Sequence, residues 1–319
     1  MIELFSFCSV LMQYRRWLRR IVFILLIYGI VRVLSIRRQS TQKLLTESDV
    51  AHWTKFLPHY NESQIRIPRI IHQLWKDAQV PDSWSQTVGS VRDWNRARFR
   101  YVHWTDEQMD QFVRENEPEF YKRTFRKYRL NIQRVDSFRF VVLYHYGGVY
   151  IDMDNGCRKS FESLFQILEL IDSKSKHICA FPRTSPFGIS NGFMITTAGH
   201  PLFRFLLENL NHFNWNYLVD YLTVMMSAGP LYLSIQEFYF DQQKTKSSVR
   251  ILDEIVYSSI YTWHTPGNSW HGRDARIILF VYHKIRNHFR VFSLTMIFLI
   301  ILIVFRKKLS SYLFRKRGY

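Results

Sequence analysis

A chain of 319 residues with 47% hydrophobic content is long enough for one large domain with appendages and supplies a substantial core. The formal charge of +18 sits mainly at the ends, in Arg15, Arg16, Arg19, Arg20, Arg32, Arg37 and Arg38 and in Arg306, Lys307, Lys308, Arg315, Lys316 and Arg317. Each bunch abuts an apolar run, which favours anionic lipid headgroups and argues against nucleic acid, and three cysteines exclude a disulfide framework.

Residues 1–36 read as a cytosolic segment and an uncleaved membrane anchor, because Ile21 to Val31 is apolar and continues past Arg32 to Ile36. No small-residue cleavage site follows the basic cluster. Residues 37–64 are polar and mixed, as in a juxtamembrane stem, and contain the acceptor sequon Asn61-Glu62-Ser63. The domain is expected over 65–275. Arg69 to Leu74 predicts its first strand, with Trp75 just beyond it. Val91 to Asn95 ends a helix, Tyr101 to Trp104 forms a second strand, and Thr105 caps a helix from Asp106 to Glu115. Strands alternating with helices predict an α/β fold with a largely parallel central sheet.

Phe138 and Phe140 to Tyr144 form an apolar stretch of helical length, with Asp136 and Arg139 at i, i+3 on a shared face. Gly147-Gly148 then permits positive φ or a close ligand approach, and Val149, Tyr150 and Ile151 read as a short strand. Side chains two apart on a strand point the same way, so Asp152 and Asp154 project together from its end. Mg²⁺ takes one or two carboxylates, with phosphate and water completing its shell. The pair therefore suits a cation bridging a diphosphate. Cys157 and Cys179 flank this site, either paired in an oxidising lumen or as two buried thiols.

Residues 276–290 form a basic juxtamembrane segment, 291–305 an apolar C-terminal transmembrane helix, and 306–319 a basic cytosolic tail. Fifteen uncharged residues span only about 22 Å of a ~30 Å hydrocarbon core, so flanking arginine stems must extend the span. The charge bias places both termini in the cytosol and the domain in the lumen.

Asp-x-x-Arg followed by Gly-Gly-x-Tyr-x-Asp-x-Asp, with Ile67 to Lys76 upstream, resembles glycosyltransferase family 32, the DXD-containing mannosyltransferases, over roughly 65–275. Within that family the pattern is nearest the fungal branch acting on inositol phosphoceramide. The resemblance implies a GT-A-like (Rossmann-like) nucleotide-sugar transferase domain and retaining, metal-dependent transfer of mannose from GDP-mannose to inositol phosphoceramide. The implied cation is Mn²⁺ or Mg²⁺, held by Asp152, Asp154 and an imidazole of the His264 to His271 loop. Either His264 or His271 would serve, and His271 is the one assigned. Asp136 and Arg139 would orient the sugar. Trp75, Gly148, Tyr150, Asn191 and Trp270 would bind the donor: Trp75 by stacking on the base, Asn191 by lining the sugar and Trp270 by donating to a phosphate. The resemblance further implies a lipid acceptor, a small membrane regulatory subunit and a Golgi membrane, with ER or vacuole as other compartments. N-glycan or other glycolipid acceptors, and a non-catalytic scaffold, are the alternatives.

Overall fold

The computed structural model describes residues 43–184, 188–217, 219–242, 247–265 and the single positions 274, 276 and 280. Both anchor segments, Trp270, His271 and the basic tail lie outside them. Among the described residues no helix is long and apolar enough to cross a membrane.

In chain order the strands are β1 (Leu44–Leu45), β2 (Ile70–Leu74), β3 (Arg100–Trp104), β4 (Gly148–Ile151), β5 (Asn155–Cys157), β6 (Ile178–Pro182), β7 (Phe193–Thr196), β8 (Ser248–Leu252) and β9 (Thr262–His264). The helices are α1 (Glu47–Thr54), α2 (Ser85–Asn95), α3 (Asp106–Asn116), α4 (Pro118–Arg123), α5 (Asn131–Tyr146), α6 (Glu162–Ile171), α7 (Pro201–Phe213), α8 (Asp220–Ser227) and α9 (Pro230–Gln242). Thr105 caps α3 through a reciprocal bond with Gln108, as expected.

Seven strands form one sheet in the order β1-β8-β6-β7-β4-β2-β3. Only β7 runs against its neighbours, so the sheet is largely parallel as expected, with one antiparallel strand inside it. The reason is the short link between Pro182 and Phe193: a parallel crossover needs a dozen or more residues, whereas a hairpin does not. The expected stem also changes. Leu44 and Leu45 pair in parallel with Ile251 and Leu252, and Val50 of α1 joins the core. The domain therefore begins by residue 43, not 65.

Alternation along the strands builds two cores. Tyr150, Phe181 and Met194 face the layer containing α5 and α7, while Val149, Ile151, Phe193 and Ile195 face α1, α2 and α6. Gly147 ends α5 at φ +64° and Gly148 follows at φ +90°. A Cβ on Gly148 would overlap the carbonyl oxygen of Ile70, so this glycine allows β4 to pack on β2.

The chain divides into two compact units, residues 1–217 with 223–267 and residues 218–222 with 268–319. In the second, the Tyr221 N–H donates to the Asp274 carboxylate at 2.8 Å. Cys157 and Cys179 are both free and buried. One lies in each core, which rules out the pairing.

Candidate active site

The site starts with the helix that precedes β4. Asp136 and Arg139, one turn apart on α5, are 4% and 5% exposed. Arg139 Nη2 lies 3.3 Å from Asp136 Oδ1 and 2.9 Å from Asp152 Oδ1. Its Nη1 donates to the Asn191 carbonyl at 3.0 Å, and Asn191 Nδ2 donates to Asp136 Oδ1 at 3.1 Å. The guanidinium also covers the Tyr150 ring, 4.9 Å from its centroid. Asp136, Arg139, Asp152 and Asn191 thus form one connected group.

Asp152 stands where β4 ends. Its N–H donates to the Gly192 carbonyl at 2.9 Å, and its carbonyl accepts from Asn155 N at 3.0 Å, making a tight turn through Asp154. Neighbouring elements pin that turn. Gln73 Nε2 donates to the Asp152 carbonyl at 3.4 Å, Thr87 Oγ1 donates to the Met153 carbonyl, and Thr265 N donates to the Asp154 carbonyl at 2.9 Å. Gln73 is itself held by the Tyr101 hydroxyl at 2.7 Å.

Asp154 Oδ1 accepts from Asn155 Nδ2 at 2.9 Å, and Asp154 Oδ2 lies 3.2 Å from His264 Nε2. The small sheet explains this proximity, since β5 and β9 pair antiparallel with Asn155 opposite His264. Asp154 raises the His264 pKa by accepting its hydrogen bond. Burial pushes the Asp136 carboxyl up to about 6 against the pull of Arg139. Burial also raises Asp152, which Arg139 pulls down and Asp154 and Asp136 push up again.

Asp136 and Asp152 share one guanidinium while Asp154 faces His264, so three carboxylates gather beside two cationic partners. The two carboxylates of Asp152 and Asp154 are oxygen ligands of the kind Mg²⁺ and Mn²⁺ take. Among the described residues no group of three His, Cys, Asp or Glu is placed to hold a metal alone. Phosphate and water oxygens would complete such a shell.

The expected donor-binding residues divide. Trp75 is half-buried beyond β2, and its indole N–H has no partner among the described residues. Gly148 and Tyr150 are corrected: both are buried within the sheet, Tyr150 only 1% exposed beneath Arg139, and neither meets open space. They support the site from below. Trp270 and His271 fall outside the described residues. Gln73 and Thr87 escaped the sequence reading. A lone glutamine in a buried strand is a detectable signal, whereas Thr87 on an amphipathic helix gives none.

A paired-aspartate turn behind a buried Arg and Asp, at the end of a strand in a mixed α/β layered fold, defines a class. Residues 81–171 match the family described as the glycosyltransferase sugar-binding region containing the DXD motif. The sequence is 37% identical over 261 residues to inositol phosphoceramide mannosyltransferase 1 of Schizosaccharomyces pombe, covering 79% of this chain and 76% of that one. It is 35% identical over 221 residues to mannosyl phosphorylinositol ceramide synthase SUR1 of Saccharomyces cerevisiae, covering 66% and 54%. The chain belongs to the inositol phosphoceramide mannosyltransferase family of DXD glycosyltransferases, and it is an enzyme of the EC 2.4 type. Among solved structures it is similar to the PaToxG glycosyltransferase, with a TM-score of 0.41 and 15% identity over 67% of this chain and 80% of that one.

Proposed function

We propose that this chain is a retaining, metal-dependent mannosyltransferase moving mannose from GDP-mannose to inositol phosphoceramide, forming mannosylinositol phosphorylceramide. The reading is carried by one observation, the Arg139 guanidinium shared between Asp136 and Asp152 beside the Asp154 turn. A relative named inositol phosphoceramide mannosyltransferase 1 aligns with 79% of this chain.

Asp152 and Asp154 would hold Mn²⁺ or Mg²⁺, with His264 and His271 as the imidazoles able to join them. A divalent ion there supplies positive charge for a departing diphosphate. Arg139, fixed by Asp136 and the Asn191 carbonyl, presents a rigid cation beside the sugar, and Asn191 secures the Asp136 carboxylate. Gln73 and Thr87 hold the turn so that both aspartates keep their aim, which matters because small misplacements of reacting groups are costly. Trp75 would stack on the base and Trp270 would donate to a phosphate. Retention of configuration without a covalent nucleophile would have the acceptor hydroxyl attack from the face the diphosphate leaves, and no general base is assigned.

The acceptor is a membrane lipid in this reading, with the domain luminal in the Golgi between anchors at 1–36 and 291–305 and a small membrane regulatory subunit beside it. The test compares microsomes carrying the full chain or Asp154→Ala, supplied with GDP-mannose or UDP-sugars and Mn²⁺. Mannose transfer from GDP-mannose to the inositol lipid, lost in the variant, is expected. Undiminished transfer by the variant would refute the metal assignment, and transfer to N-glycans alone would select the other acceptor.

A further inference from the structure

Between Phe120 and Val135 the chain carries six Lys or Arg and no Asp or Glu. Lys122, Arg123, Arg126, Lys127 and Arg129 are exposed, whereas Thr124, Phe125 and Tyr128 between them are buried. The turn is therefore anchored by alternate residues, with its cations left at the surface. Arg123 shares its charge with Glu119 at 3.3 Å.

A second feature joins it. Thr124 Oγ1 donates to Asn211 Oδ1 near the end of α7, at 3.1 Å. Four residues further on, Trp215 is 67% exposed, and its indole N–H donates to the His212 carbonyl at 2.7 Å. That bond fixes the ring while leaving much of it in water. Between turn and helix lies a cavity of about 310 Å³, lined in part by Phe120, Arg123, Thr124, Leu207, Asn211 and His212. Its acidic residues are committed, Glu117 and Glu208 to Arg204 and Glu119 to Arg123.

An exposed tryptophan near a cluster of exposed cations is the chemistry of a membrane interface: the ring enters the headgroup layer and the cations meet anionic lipid. The turn also leads directly into α5. Asp136 lies five residues after Asn131, the first residue of α5, about 7.5 Å along its axis. We propose that the Lys122 to Arg129 turn and Trp215 form a surface that docks on an anionic lipid bilayer and holds the active site towards it. The orienting role rests on the lipid acceptor proposed above; the docking surface does not.

The test uses the full chain in nanodiscs of brominated phosphatidylcholine, with and without phosphatidylinositol. The emission of wild type minus Trp215→Phe isolates Trp215. Quenching of that emission in the discs containing phosphatidylinositol, relieved by high salt and by Arg126→Glu with Lys127→Glu, is expected. Transfer to lipid should fall about five-fold per cation removed, while hydrolysis of GDP-mannose and the thermal midpoint stay unchanged. Unquenched emission in phosphatidylinositol discs overturns the proposal, as does quenching indifferent to the charge reversal. Emission that responds to added RNA and not to lipid also overturns it. If wild type hydrolyses no GDP-mannose, the catalytic reading fails and quenching alone decides the surface.

Discussion

Gly192 lies so close to Asp152 that a Cβ built on it would sit 2.8 Å from Asp152 Oδ2. Its backbone has no positive φ, so alanine is conformationally acceptable there. The contact falls on the end of a side chain, which can swing away. Gly192→Ala should therefore change stability by less than about 1 kcal/mol while lowering kcat/KM for the donor roughly 100-fold, because the carboxylate is re-aimed. Steady-state kinetics and a thermal melt on the same sample check this; a large loss of stability would contradict it.

Arg139 spans two carboxylates and a carbonyl with one planar group. A lysine ammonium is a point charge and cannot reproduce that fork. Arg139→Lys should reduce transfer roughly 100-fold or more. Arg139→Ala should also destabilise the fold by about 3–5 kcal/mol, since Asp136 loses its buried counter-charge. Chemical denaturation separates the pair, and equal stability of both variants would argue against the shared guanidinium.

How much of this arrangement was legible depends on the range of the interaction. Thr105 and α3 follow from a local cap, and Asp152 with Asp154 from a two-residue spacing, so the sequence exposed them. The reversal of β7 depends on the short link from Pro182, and the pairing of Leu44 with Ile251 joins distant segments with no local signal. His264 reaches Asp154 across 110 positions through the β5–β9 pair. Gly148 and Tyr150 look like ligand contacts in a motif and lie buried within the sheet, because the strand that carries them is covered on both faces.

Glu169 is 1% exposed and accepts from five donors on the preceding segment. Arg69 Nη1 and Nη2 bind it at 2.9 and 3.0 Å, the Tyr60 hydroxyl at 2.6 Å, and the Arg66 and Ile67 N–H groups at 2.7 and 2.8 Å. Glu169→Gln replaces one acceptor oxygen with a donor and leaves Arg69 to Glu162 alone. A loss of about 3 kcal/mol is expected, read as a lowered denaturation midpoint. A change under about 0.5 kcal/mol would deny that this cluster fastens residues 60–69 to α6.

His72 is fully buried between Trp104 and Gly147. The Trp104 indole N–H donates to Nδ1 at 3.1 Å, so Nε2 carries the proton and donates to the Gly147 carbonyl at 3.1 Å. Burial holds its pKa down at about 4. The unfolded chain then binds this proton more readily between about pH 6.5 and 4, and stability falls as pH drops through that window. His72→Gln keeps the Gly147 bond and does not titrate. Its deficit against wild type should shrink by up to roughly 3 kcal/mol between pH 7 and pH 4. Denaturation curves at several pH values decide, and a constant deficit would exclude a buried neutral imidazole.

His264 Nε2 stands 3.2 Å from Asp154 Oδ2 and is half exposed, so its removal leaves no buried group unsatisfied. If it helps hold the divalent ion, His264→Ala should raise the Mn²⁺ concentration for half-maximal donor hydrolysis by about 10- to 100-fold, the cost typical of disturbing a metal ligand shell. Saturating Mn²⁺ should restore much of the rate, and the thermal midpoint without metal should move by less than about 0.5 kcal/mol in stability. Chelation should abolish hydrolysis in both proteins and readdition should recover it. An unchanged Mn²⁺ requirement in His264→Ala would assign the imidazole position to His271, because only one imidazole need reach the ion.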